Sequence, residues 1–110
     1  MFSPELKKGS MELLVLSLLE EEERHGYDLG KAIESRSGGR LVFRISSLYP
    51  VLSRLEERGL IRGRWVERPG TRRRRYYQLT AAGRRTLEHE RALWQEYVAA
   101  VGDVLEPTPA

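Results

Sequence analysis

The chain has 110 residues, of which 40% are hydrophobic, contains no cysteine and carries a formal net charge of +3. One domain of this size buries a modest core unaided, and the missing cysteines exclude both a disulfide framework and a thiolate metal site. No secretory leader pattern opens the sequence, and the longest apolar run, Leu13 to Leu19, is far too short to cross a bilayer. A soluble cytoplasmic protein with no membrane contact is expected. The small net charge hides an asymmetry: Arg62 to Arg75 holds seven arginines and a single acid, Glu67, while acids gather at Glu20 to Glu23 and in the last third. Such separation suits a polyanionic partner.

In chain order, Ser3-Pro4 reads as a cap with a first-turn proline, followed by an arm that ends at Gly9. Ser10 is placed to cap a first helix, apolar almost all round from Met11 to Leu19, which predicts burial on more than one side and hints at a partner chain. A second helix follows Gly26, with Leu29, Ala32 and Ile33 as its apolar stripe and Gly38-Gly39 as its stop. Gly30 inside it costs roughly 1 kcal/mol relative to alanine, which a close neighbouring helix would explain. Leu41 to Phe43 reads as a short strand. In a third helix Ile45, Leu48, Leu52 and Leu55 recur at helical spacing, Ser46 or Ser47 caps, and Gly59 terminates. Pro50 is tolerated there as a first-turn residue.

Leu60 to Arg68 and Arg73 to Leu79 read as two strands joined through Pro69-Gly70, which fit the central positions of a type II turn. The run Arg72 to Arg75 is thereby presented at the tip and on the returning strand of a hairpin, with Tyr76 and Tyr77 at its base. Thr80 caps a last helix. On it Leu87, Trp94, Val98, Val101 and Leu105 form a seam resembling a coiled coil, interrupted by Arg91. The terminal "EPTPA" is expected to be disordered. The implied organisation is a winged helix-turn-helix over residues 1–80, a dimerisation helix over 81–105 and a tail over 106–110. The fold class is mainly α with a small β-hairpin.

Helix, helix, short strand, helix, hairpin is the order of a winged helix, with the third helix as reader and the hairpin as wing. The segments "HGYDL", "SSLYPVLSRLEERGLI" and "RRRRYYQLT" followed by "AAG", together with Trp94 on the last helix, resemble the PadR family of bacterial transcriptional regulators. The resemblance covers roughly Gly9 to Trp94. One departure is the stretch Arg44-Ile45-Ser46-Ser47, where the family has a glycine or proline before Leu-Tyr-Pro. The resemblance implies a winged-helix homodimer joined through the last helix. It also implies, for some small members, a pocket for planar hydrophobic compounds between subunits beside a tryptophan.

The function expected is a dimeric DNA-binding regulator, a repressor at a palindromic operator released by a small aromatic or hydrophobic effector. The alternative is a winged-helix module for RNA or protein. The residues expected at DNA are Tyr27, Ser46, Ser47, Tyr49, Pro50, Arg54, Thr71, Arg72, Arg73, Arg74 and Arg75. Tyr49 suits both core packing and a phosphate hydrogen bond, which are compatible. Ser46, Ser47 and Arg54 read equally as cap and surface residues. Trp94 is read either as interface core or as a ligand-stacking face with Met11 and Val15 as further walls; Leu87, Trp94, Val98, Val101 and Leu105 are assigned to the dimer seam. His25 and His89 match no metal spacing and read as structural or exposed. No catalytic motif is present, so no enzyme activity and no cofactor or metal is expected.

Overall fold

The structure, a computed structural model, describes residues 9–106. The expected cap at Ser3, the arm to Lys8 and the tail after Glu106 lie outside the described residues. Helix α1 spans Met11–Glu21, strand β1 Arg24–His25, α2 Gly26–Arg36, α3 Ile45–Glu57, β2 Ile61–Val66, β3 Arg74–Leu79 and α4 Ala81–Leu105. The strands form one antiparallel sheet in the order β1-β3-β2, with His25 opposite Tyr76, Gly63 opposite Tyr77 and Trp65 opposite Arg75.

The core gathers where the inward stripes of the helices meet. Val15 of α1, Leu29 of α2, Leu48 and Leu52 of α3 and Leu87 of α4 are fully enclosed, each contributing about 1.5–3 kcal/mol by leaving water. Most of α1 is covered by its own chain, because α2, α3, α4 and β3 all pack on it. Its all-round apolar character therefore does not by itself require a partner. Ser10 occupies the cap position of α1 through its carbonyl, which accepts the Leu14 N–H at 2.9 Å, with no side-chain cap.

Several local expectations hold. Gly38, Gly39, Gly59 and Gly70 all take positive φ, as helix stops and a turn require. The Thr71 N–H closes the Pro69-Gly70 turn on the Arg68 carbonyl at 3.1 Å. The Thr80 hydroxyl accepts the Gly83 N–H at 3.0 Å and caps α4.

Others are corrected. Residues 41–44 are irregular rather than a strand: Leu41 and Phe43 pack on the core, and the sheet position beside β3 is taken by Arg24–His25. A two-residue strand is too short to carry an alternation. Neither Ser46 nor Ser47 caps α3; the helix begins at Ile45 after Arg44, whose φ of −70° and ψ of 147° are extended. Pro50 consequently sits in the second turn. It leaves the Ser46 carbonyl without an intrahelical donor, at an exposed residue where water can serve. At Gly30 a Cβ would lie 3.4 Å from Leu48 Cδ1, an ordinary contact, so close helix packing does not compel a glycine there.

Candidate nucleic-acid interface

Helix α3 divides cleanly. Leu48, Val51, Leu52 and Leu55 face the core, while Ser46, Ser47, Tyr49, Pro50, Ser53 and Arg54 face outward. This outward strip is small, polar and unobstructed at its N-terminal end. Between α3, the start of α2 and the wing lies an open groove of about 560 Å³. Tyr27, Tyr49 and Ser53 line one side and Arg72, Arg73, Arg74 and Arg75 the other, with Trp65 among them. Tyr27 and Tyr49 are 60% and 52% exposed. Lys31 Nζ sits 5.3 Å from the Tyr27 ring centre and adds a further cation there.

Of the residues expected at DNA, this groove brings together Tyr27, Tyr49 and the four arginines. Ser46, Ser47, Pro50 and Arg54 lie outside it, on the exposed face of α3. Arg54 leans towards α1, with Nε 3.8 Å from a Glu12 carboxylate oxygen. Thr71 faces a separate depression with Val66, Arg68 and Tyr76, and its hydroxyl donates to the Arg68 carbonyl at 3.1 Å.

The four arginines do not share one environment. Arg73 stacks over the Trp65 indole at 4.3 Å, a cation–π contact that orients an otherwise floppy side chain. Arg75 turns inward, pairs with Glu56 of α3 and lies 5.4 and 5.9 Å from the Trp65 and Tyr77 rings. Arg74 reaches His25, with Nη1 2.9 Å from Nε2. Arg72 has no ion pair within the described residues and projects from the loop. The run is thus three tethered guanidinium groups and one free.

His25 is a groove residue that periodicity missed. It precedes α2 in extended conformation, and its Nδ1 accepts the Asp28 N–H at 3.3 Å. Tyr27 stacks on it with rings 6.4 Å apart and 8° from parallel, and Tyr76 meets it edge-on at 5.2 Å. Burial lowers its pKa below the usual 6.5; the Arg74 charge lowers it further, against a smaller opposing pull from Asp28. Trp65 and Glu56 were also missed, because only the hairpin register and the α3 packing bring them to the arginines.

Glu20 to Glu23, where the sequence gathers acids, is an ion-pair hub. Glu20 holds Arg91 at 3.1 Å and Arg84 at 3.9 Å, Glu21 pairs with Arg24 and Arg36, and Glu23 with Arg64. The acids tie α1 to α4, α2 and the wing.

On α4, Leu87 belongs to the chain's own core rather than to a free seam, since the first turns pack on α1. Trp94, Val98, Val101 and Leu105 stay exposed, and Leu93, Tyr97 and Val104 extend the same apolar surface. Trp94 borders a cleft of about 310 Å³ that includes Leu13, Leu16, Leu60, Leu93 and Tyr97. Met11 and Val15 are core residues outside this cleft; α1 contributes Leu13 and Leu16 instead. Among the described residues no cluster of His, Asp and Glu could hold a metal ion, and no helix is long and apolar enough to cross a membrane.

Comparison with known proteins agrees with this geometry. A transcriptional regulator from Clostridium thermocellum superposes with a TM-score of 0.85 at 26% identity, covering 94% of this chain and 97% of that one. A PadR family transcriptional regulator from Eggerthella lenta gives 0.82 at 35% identity, covering 94% and 88%. Bacillus subtilis PadR, solved in complex with operator DNA, gives 0.65 at 27% identity over 71% of this chain and 44% of its own. The Escherichia coli transcriptional regulator YqjI is 35% identical over 83 residues, 76% of this chain and 38% of that protein. The chain therefore spans less than half of the last two. The model of the transcriptional regulator PadR-like family matches residues 15–89. With a winged helix, an arginine-bearing hairpin and an outward-facing third helix in place, the chain belongs to the PadR-like family of transcriptional regulators.

Proposed function

We propose that this regulator binds double-stranded DNA as a homodimer and represses transcription from a palindromic operator. The observation that carries the reading is the shared groove: a hairpin with four arginines at its tip and on its returning strand faces the same space as two exposed tyrosines beside the outward strip of α3. A helix presented in this way fits a major groove, with Ser46, Ser47, Tyr49 and Pro50 near base edges and Arg54 following the strand. Arg72 and its neighbours meet phosphate or enter the minor groove. The B. subtilis relative was solved on operator DNA, which supports the same use of the fold here. The exposed apolar strip from Leu93 to Leu105 on α4 supports the dimer, and two-fold symmetry matches an inverted repeat. DNA as partner places the protein on the nucleoid in the cytoplasm.

The effector site belongs to the Trp94 cleft. Its indole, with Tyr97 6.3 Å away, offers an aromatic surface above Leu13 and Leu16. A planar aromatic compound releases DNA only to the extent that it binds one dimer geometry better than another.

The deciding experiment is selection of bound sequences from a random duplex pool. Recovery of an inverted repeat is expected; preference for RNA, or for neither nucleic acid, would favour an RNA or protein interaction module. Affinity is expected to fall with salt at a slope of about −0.9 per phosphate neutralised. Replacing Arg72 to Arg75 by alanine is expected to flatten that slope and weaken all duplexes alike. Replacing Ser47 or Arg54 is expected to alter sequence preference, by about 1–3 kcal/mol for each base edge no longer read.

A further inference from the structure

His25 is caught in a donor–acceptor conflict. Its Nδ1 accepts the Asp28 N–H at 3.3 Å, and this bond caps α2. A neutral imidazole has one lone-pair nitrogen and one N–H, so Nε2 then carries the proton. Arg74 Nη1, which bears only donors, lies 2.9 Å from that same Nε2. Two N–H groups then face one another across 2.9 Å. The other tautomer accepts from Arg74 but turns an N–H on the Asp28 N–H and gives up the cap. The imidazolium fails at both contacts.

The ring cannot easily turn away from the conflict. Tyr27 stacks on one face, Tyr76 presses edge-on, and the pairing of β1 with β3 sets His25 opposite Tyr76. Both His25 and Arg74 also line the groove shared by Tyr27, Tyr49 and the remaining arginines. An acceptor that takes two hydrogen bonds, preferably an anionic one, would satisfy both donors at once.

We infer that His25 Nε2–H and the Arg74 guanidinium form a two-donor oxyanion subsite that holds one phosphodiester of the DNA backbone. The inference rests on the DNA-binding reading above. A backbone phosphate has two unesterified oxygens, one for each donor. Its arrival relieves the donor–donor contact and leaves the α2 cap intact. The charged partner is Arg74; His25 adds a neutral, directional hydrogen bond. The contact fixes register on the duplex and carries no sequence information.

The test uses the full chain and a random-sequence duplex. His25→Asn keeps a capping acceptor near the Nδ1 position and deletes the distal donor without changing charge. It is expected to melt close to wild type and to bind the duplex roughly tenfold or more weakly, with an unaltered salt slope. Arg74→Ala is expected to lower that slope by about 0.9. Nitrogen NMR of wild-type protein labelled at histidine gives an arm independent of any variant. His25 is expected as the Nε2–H tautomer, with its Nε2 signal moving when duplex is added. Wild-type affinity in His25→Asn, or an unprotonated Nε2 in the DNA-bound protein, overturns the subsite and leaves DNA binding standing. Failure of the wild type to bind any duplex overturns both.

Discussion

At Gly63 a Cβ would lie 2.5 Å from Arg75 Nε and 2.7 Å from its Cζ. The missing side chain is what lets Arg75 lie across β2 and reach Glu56 on α3. The obstructed atoms are the end of a flexible side chain, so Gly63→Ala is expected to fold while displacing the guanidinium from Glu56. A double-mutant cycle with Glu56→Gln is expected to show coupling of about 0.5–1 kcal/mol, modest because both partners are partly solvated. Additive effects would mean that the pair contributes nothing to stability. At His25 burial is the main cause of the lowered pKa, and the groups facing it are Arg74 and Tyr76 from β3 with Asp28 and Tyr27 from α2. The unfolded chain binds its proton first, near 6.5, so the stability this group contributes is complete above that pH. It is lost as pH falls through the lower folded value. Urea titrations across that window are expected to show a decline that His25→Asn abolishes. None of this was legible in the sequence. "RPGTRRRRYY" gives the arginines a hairpin, but which one turns inward depends on strand register, a tertiary fact.

Elements were more legible than residues, wherever a local chemical cause sets a boundary. Pro69-Gly70, Gly59 and Thr80 mark their turn, stop and cap because each acts within a few residues. Strand β1 and the start of α3 escaped, since β1 exists only through its pairing with β3 and α3 begins without a side-chain cap. The junction of wing and α4 is the tightest joint. A Cβ at Gly83 would lie 2.0 Å from the Leu60 carbonyl oxygen and 2.7 Å from Leu79 Cδ1. Here the obstacle is backbone and cannot step aside, so Gly83→Ala is expected to cost about 2–3 kcal/mol. Thr80→Ala removes the α4 cap and the hydroxyl's bond to the Gly59 carbonyl at 2.7 Å, and is expected to cost about 1 kcal/mol. Thermal melts of the two variants order these effects, and a Gly83→Ala protein as stable as wild type would show that the joint yields.

For the whole molecule, the Trp94 strip separates stability from assembly. Truncation after Thr80 removes Leu87 from the core and is expected to give an insoluble or unfolded product. Truncation after Ala92 keeps Leu87 and Arg91 and is expected to fold as a monomer, while the full chain sediments as a dimer. A dimer from the shorter of these folded chains would relocate the interface to another surface. Dye binding at Trp94, followed by tryptophan quenching in a Trp65→Phe background, is expected to disappear in Trp94→Ala. The α4 seam was readable as a spacing pattern, but its division between core and surface was not: Leu87 is spent inside the domain and only the residues after Arg91 remain available.

The grip of Glu20 on Arg84 and Arg91 has a mechanical meaning. It clamps one stretch of a helix whose remainder, from Arg91 to Leu105, runs on for about 21 Å. The clamp is a fulcrum and the apolar end a lever arm: a tilt of about 5° displaces Leu105 by roughly 2 Å. In the proposed dimer the domain that carries α3 lies beyond this fulcrum, so the stiffness of the joint is expected to set how strictly the two α3 helices keep one helical turn of DNA between them. Loosening it with Glu20→Gln is expected to leave half-site sequence preference alone and to broaden the spacer lengths recovered in selection. Unchanged spacer strictness would place the pivot elsewhere along α4.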